Sequence, residues 1–213
     1  MGFLFPKIYP ILDSSCIPAV ARTEFLKALG ESLANAGVTL MEYRNKVGTD
    51  AEILADAAIL RTAMPAPNIK LILDDRVDLV EKAEFDGVHV DVGDLAPAEA
   101  RRLLGSSRIV GTFGGGDAIV PGILKEPADY FSVGPVYSTT TKQTTKANIG
   151  PEGVSRLREE AGSEAVLVAV GGIALETAPL VLAAGANSVA ISAAIFRTAD
   201  PAAEFRRWLE TVG

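Results

Sequence analysis

The sequence predicts an α/β protein, a single (β/α)8 TIM barrel spanning residues 1–213. Three observations point to it. Short, continuously apolar runs alternate with longer amphipathic patterns, the alternation repeats about eight times, and no linker or low-complexity stretch interrupts it. Continuous apolar runs mark strands covered on both faces, as in a parallel sheet. A doubly wound open sheet is the competing topology. The first strand lacks a following GxGxxG, and the number of repeats suits closure better.

Taken in order, the strand candidates are 7–12, 40–43, 70–73, 87–90, 109–111, 130–133, 166–170 and 188–191. Between the first two, residues 21–36 place Phe25, Leu26, Leu29 and Leu33 on one helical stripe, and between the second and third 50–62 do the same with Ile53, Leu54, Ala57 and Leu60. Helical patterns continue at 75–84, 97–104, 150–160, 175–184 and 201–212, with a poor element near 118–124 that Pro121 and Gly122 weaken. The uncharged stretch 177–196 is divided by Pro179 and the Gly185-Ala186-Asn187-Ser188 turn, so it reads as a helix and a strand and predicts no membrane span. At the amino end, Pro6, Lys7, Pro10 and Asp13 break the apolar start before an export signal can form.

Composition excludes several classes. Hydrophobic residues make up 48% and charged residues 22%, which suits a soluble globular chain with a sizeable core. Acidic residues outnumber basic ones 27 to 20, a net charge of -7 that argues against nucleic-acid binding through a cationic face. Small anions held by a few local cations remain open. A lone cysteine, Cys16, and a lone histidine, His89, rule out an internal disulfide and a multi-histidine or multi-cysteine zinc site, and fit a reducing cytoplasm.

In a barrel the chemistry sits at the carboxyl ends of the strands. Strand two delivers Glu42, Arg44 and Lys46 there; strand three, Asp74 and Asp75; strand four, His89, Asp91 and Asp94. Thr112 with the Phe113-Gly114-Gly115-Gly116 loop follows strand five, and a polar loop from Gly134 with Thr139, Thr140, Thr141 and Lys142 follows strand six. Strand seven ends in Gly171-Gly172 and strand eight in Ser192-Ala193. Each has a plain structural reading: Asp75 and Asp94 as helix caps, Arg44 and Lys46 as solvated charges, His89, Cys16, Phe205 and Trp208 as core or loop residues. Together they make a different pattern. Two acidic loops flanked by Arg44, Lys46 and Lys142 can hold a divalent ion through oxygen, and Mg2+ is the natural choice beside substrate phosphates. Gly171-Gly172 and the amides near Ser192 and Ala193 form a second anion site where barrels often bind phosphate.

These residues resemble the thiamine phosphate synthase family over nearly the whole chain. The resemblance is carried by Tyr9-Pro10-Ile11-Leu12-Asp13, Tyr43-Arg44-Asn45-Lys46, Leu73-Asp74-Asp75-Arg76, Asp86-Gly87-Val88-His89-Val90, the segment from Val133 to Lys142 that reads VGPVYSTTTK, and Ala169-Val170-Gly171-Gly172-Ile173. It implies a cytoplasmic transferase that joins hydroxymethylpyrimidine diphosphate to a thiazole phosphate with Mg2+. Its partners would be those small molecules, with neither nucleic acid nor membrane; homo-oligomerisation stays open. By the same resemblance Asp75 and Asp94 hold the metal and Arg44, Lys46 and Lys142 grip the diphosphate. Thr139, Thr141, Gly172, Ser192 and Ala193 hold the thiazole phosphate, while Glu42, Asp74 and Thr112 face the pyrimidine. The family usually has glutamine and asparagine where this chain has Glu42 and Asp74, and a carboxylate only accepts hydrogen bonds where an amide also donates. The alternatives are a thiazole tautomerase-like paralogue, which would need a histidine beyond strand five where Phe113 and Gly114 stand, and a non-catalytic thiazole phosphate binder.

Overall fold

The computed structural model describes residues 4–91, 93–139 and 147–213. Eight parallel strands close into a barrel in chain order: β1 (Ile8–Asp13), β2 (Leu40–Arg44), β3 (Lys70–Asp74), β4 (Gly87–Val90), β5 (Ile109–Gly115), β6 (Tyr130–Val133), β7 (Leu167–Val170) and β8 (Ser188–Ile191). Helices α1 (Arg22–Asn35), α2 (Asp50–Ala63), α3 (Pro97–Leu104), α4 (Gly150–Ala161), α5 (Ala178–Ala183), α6 (Ala193–Phe196) and α7 (Pro201–Val212) surround it. No helix among the described residues is long and apolar enough to cross a membrane.

Strand alternation sorts the apolar residues into two cores. Leu12, Met41, Tyr43, Leu71, Leu73, Val88, Val90, Val110 and Val133 face outward and are buried with the helix stripes. Tyr9, Leu40, Ile72, Ile109, Tyr130, Val168 and Ala190 face inward and fill the barrel floor. Gly111 makes room there: a Cβ on it would stand 2.0 Å from the Tyr130 ring. Helix starts follow local chemistry. Thr49 and Glu52 form a reciprocal capping box on α2, and Asp200 caps α7 ahead of Pro201.

The amino-terminal face of the barrel carries a device repeated three times among the described residues. Arg61 on α2, Arg101 on α3 and Arg158 on α4 each use Nη1 to bond two carbonyls at their own helix end: Met64 and Ile69, Gly105 and Arg108, Gly162 and Ala165. Each uses Nε to bond one carbonyl of the next loop, from Glu84, Pro127 and Gly185. Each uses Nη2 to reach a side-chain oxygen just before a strand, on Asp86, Asp129 and Asn187, and that oxygen also accepts the amide of Leu71, Val110 or Leu167 on the neighbouring strand. The guanidinium fork thus ties a helix to the strand pairs β3–β4, β5–β6 and β7–β8.

Three sequence expectations change. The helix expected over 75–84 is only a 3-10 turn, Val77–Leu79, because Asp75 and Glu84 have left-handed backbones that an α-helix cannot include. The weak element near 118–124 shrinks to the 3-10 turn Ile123–Lys125 behind left-handed Gly122. In the other direction, the glycine-rich segment expected to be a flexible loop after strand five is strand: β5 runs to Gly115, with an irregularity between Phe113 and Gly115.

Candidate active site

The carboxyl ends of the strands open onto a cavity of about 420 Å³. Glu42, Arg44, Asp74, Thr139, Gly172, Ser192 and Ala193 from the expected set line it, and so do His89 and Asp91. Lys46, Asp75 and Asp94 lie beside its mouth through the contacts below. Thr141 and Lys142 lie outside the described residues.

Charge is concentrated on the β1–β3 side. Arg44 pairs with Asp13 and lies 3.6 Å from Asp74, while Lys46 pairs with Asp75 and reaches Asp74 at 2.9 Å. Burial opposes the charge on Lys46, but Asp74 and Asp75 outweigh it and raise its pKa, so the ammonium is charged at any working pH. Asp13 is buried too, yet the hydroxyl and amide of Ser15 and the Arg44 guanidinium hold its carboxyl below the usual range. Burial pushes the Asp74 carboxyl up to about 6, with Asp75 adding to the rise and Lys46 opposing it.

Neither metal candidate is a helix cap. Asp75 has φ 63° and sends its amide to the His89 carbonyl at 2.8 Å, which aims its side chain at Lys46. Asp94 accepts the Asp91 amide at 2.8 Å, and α3 starts at Pro97 with no side-chain cap. Burial and the adjoining Asp75 carboxyl both raise the Asp94 pKa. Asp75 Oδ1 is buried with no hydrogen-bond partner among the described residues. Two facing carboxyls with an unspent oxygen are hard donors of the kind that take Mg2+. Among the described residues no group of three His, Cys, Asp or Glu side chains converges as a complete metal cage, so the rest of an ion's shell would fall to substrate and water.

The opposite wall is backbone. Gly171 and Gly172 both have positive φ, and a Cβ on Gly172 would stand 2.2 Å from the Ser138 carbonyl oxygen, so only glycine lets this turn pass under the Ser138–Thr139 loop. Ser192 and Ala193 stand beyond it. Ala193 starts the four-residue turn α6, and α7 follows at Pro201 behind its Asp200 cap, over the 201–212 range that the sequence pattern predicts.

Thr112 departs from its expected place. It is buried, pairs with Val90 and Phe131 of the outer core, and does not line the cavity; the inward position next to it belongs to Phe113. Strand alternation is the reason. Sequence reasoning also passed over Asp13 and two floor residues, Tyr9 and Tyr130. Tyr9 donates to Glu42 Oε2 at 2.7 Å, the Tyr9 and Tyr130 hydroxyls meet at 2.8 Å, and the Tyr130 hydroxyl lies 3.0 Å from His89 Nδ1. A phenol inside an otherwise apolar strand needs a polar partner, and that was the available signal.

A closed parallel barrel with its ionisable groups gathered at the carboxyl strand ends, cations and acids on one wall and backbone amides on the other, defines an enzyme of the TIM-barrel class that handles anionic substrates. A family model described as thiamine monophosphate synthase matches residues 8–195. A thiamine-phosphate synthase of Koribacter versatilis is 36% identical over 90% of this chain and 90% of its own length, and one of Agrobacterium fabrum is 35% identical over 82% and 81%. A solved thiamine phosphate pyrophosphorylase from Pyrococcus furiosus superposes with a TM-score of 0.78 at 24% identity over 97% of this chain and 95% of the other, a likeness of fold. The chain belongs to the thiamine monophosphate synthase family.

Proposed function

We propose that this chain joins hydroxymethylpyrimidine diphosphate to thiazole phosphate, giving thiamine phosphate and pyrophosphate. The observation that carries the reading is the pairing of Arg44 and Lys46 with Asp13, Asp74 and Asp75 at the mouth of the cavity, because it combines fixed cations with an acidic edge where a diphosphate would leave. Arg44 and Lys46, with Lys142 by family likeness, bind the diphosphate and hold it in one orientation. Asp75 and Asp94 would hold Mg2+, which when bound supplies further positive charge against the leaving group. The Gly171-Gly172 turn, Thr139, Ser192 and Ala193 would seat the thiazole phosphate.

The bond between the pyrimidine methylene carbon and the diphosphate oxygen breaks, and its electron pair leaves with the diphosphate. The thiazole nitrogen then gives its lone pair to that carbon. No proton moves in either event, so the work of the side chains is neutralising the departing charge and aligning the two heterocycles. A chain whose single histidine is engaged with Tyr130 suits that chemistry. The tautomerase reading is not favoured, since Phe113 and Gly114 occupy the position where it would need a histidine.

Incubation of the purified protein with both substrates and Mg2+ tests the proposal, with thiamine phosphate and pyrophosphate as the expected products. Absence of both at saturating substrate would overturn it. Interconversion of thiazole isomers would replace it with the tautomerase reading, and thiazole phosphate binding without turnover with the binder.

A further inference from the structure

With Glu42 Oε2 as the acceptor at one end, the hydrogen-bonded chain across the barrel floor has a single proton order. Each tyrosine has one proton to give. Tyr9 donates to Glu42 Oε2, so it has none for Tyr130, and the 2.8 Å contact between the hydroxyls requires Tyr130 to donate to Tyr9. Tyr130 then has none for His89, and the 3.0 Å contact requires Nδ1 of His89 to carry the hydrogen. All donors therefore point one way, from His89 through Tyr130 and Tyr9 to Glu42. The rings are held for it: His89 stacks on Tyr130 at 5.5 Å and Tyr9 meets Tyr130 edge-on at 5.8 Å.

We propose that this one-way chain dedicates Glu42 Oε2 to accepting, so that the other oxygen, Oε1, carries the Glu42 proton and donates it to a ring nitrogen of the bound heterocycle. Glu42 then presents one accepting and one donating atom, the hydrogen-bonding complement of a glutamine, in a pocket built from an acid. The heterocycle it selects has an unprotonated ring nitrogen facing the floor. This deepens the function proposed above and rests on it for the identity of the heterocycle. Tyr9 and Tyr130 are positioning residues that act through Glu42.

The surroundings support a protonated Glu42. Burial and the charge of Asp74 on β3 push its carboxyl up to about 8, while Tyr9 on β1 and Arg44 and Lys46 at the end of its own strand pull the other way. His89 on β4 and Tyr130 on β6 complete the ring of polar groups around the floor. As pH rises through that value the proton leaves, Oε1 becomes an acceptor, and it repels a ring nitrogen that also only accepts.

Two measurements test the idea. The imidazole ¹⁵N resonances of His89, the only histidine in the chain, report its tautomer without any substrate. The expected result at pH 7 is a protonated Nδ1, a preference lost in Tyr130→Phe, which keeps the ring and drops the hydroxyl. An unprotonated Nδ1 in the native protein overturns the chain, whatever the enzyme's activity. The second measurement is the pH profile of KM. For the pyrimidine diphosphate, KM should rise roughly tenfold between pH 7 and 9 while KM for thiazole phosphate holds, and Glu42→Gln should abolish that rise because an amide keeps its donor. An equal alkaline rise in Glu42→Gln overturns the proposed role of Oε1. Complete absence of turnover would count against the proposed reaction instead, leaving the tautomer to decide the chain.

Discussion

The guanidinium of Arg158 donates to Asn187 Oδ1 at 2.5 Å, and the same oxygen accepts the Leu167 amide at 2.8 Å, so one side chain on α4 fixes the spacing of β7 and β8. Arg158 also satisfies the carbonyls of Gly162, Ala165 and Gly185. Arg158→Ala leaves all of them to weaker partners. A loss of about 2–4 kcal/mol is expected in urea unfolding, with activity per folded molecule retained because the clamp lies on the face away from the cavity.

Lys46 stands between two carboxyls, and its removal leaves Asp74 and Asp75 to repel each other and the diphosphate. Steady-state kinetics of Lys46→Ala should show kcat/KM for the pyrimidine diphosphate down at least tenfold, about 1.4 kcal/mol or more of lost transition-state stabilisation. The thiazole phosphate KM should stay near its native value. A general collapse of both would mean that Lys46 holds the fold.

Asp75→Asn keeps the shape of the acidic edge and removes its charge. Most of the activity should go, and the Mg2+ concentration giving half of the remaining rate should rise. An unchanged Mg2+ requirement would remove Asp75 from the metal set.

Stability should itself depend on pH in two opposite ways. Asp86 is half-buried, which opposes its charge, but Lys70, the Leu71 amide and Arg61 hold its carboxyl below 3.8; a group depressed in the folded state stabilises above its ordinary value, and that contribution is lost as pH falls through the folded one. Glu42 is raised from 4.5 to about 8, so its contribution is present below 4.5 and lost as pH rises toward 8. The melting temperature should therefore fall from about pH 5 to 8. In Glu42→Gln that fall should be shallower, and scanning calorimetry at the two pH values decides it.

Thr112 and Phe113 separate the two faces of β5. Thr112→Val, set in the outer core, is expected to leave the substrate KM values alone, whereas Phe113→Ala, which enlarges the cavity, should raise them. The opposite outcome would reverse the facing of the strand.

The barrel was legible in the sequence because its signal is repetition: apolar strands such as Leu71-Ile72-Leu73 and stripes such as Leu26, Leu29 and Leu33 recur on schedule. Charged site residues were legible for the same kind of reason, since Arg44, Asp74 and Asp75 fall just after apolar runs. What a strand pattern conveys poorly is which face a polar residue takes in a run buried on both sides, and so Thr112 reads as a site residue while Tyr9 and Tyr130 do not. The arginine clamps were hidden for another reason. Their partners are mostly backbone carbonyls, which every sequence supplies, and only geometry shows that the same three nitrogens do the same three tasks on α2, α3 and α4.

Those clamps tie β3–β4, β5–β6 and β7–β8; among the described residues none of this form ties β1 to β2. There the support is at the other end, where Arg22 on α1 and the Tyr43 hydroxyl on β2 both bond Asp56 on α2. The bowl is thus braced from beneath at three alternate strand pairs and at the lip on one side. That lip is where Asp13, Arg44 and Lys46 project. The stretch of rim that carries this brace coincides with the groups whose charges must not give way when a diphosphate departs, while across the opening the glycine turn is held by backbone, the Gly171 carbonyl accepting the Tyr137 amide at 2.9 Å.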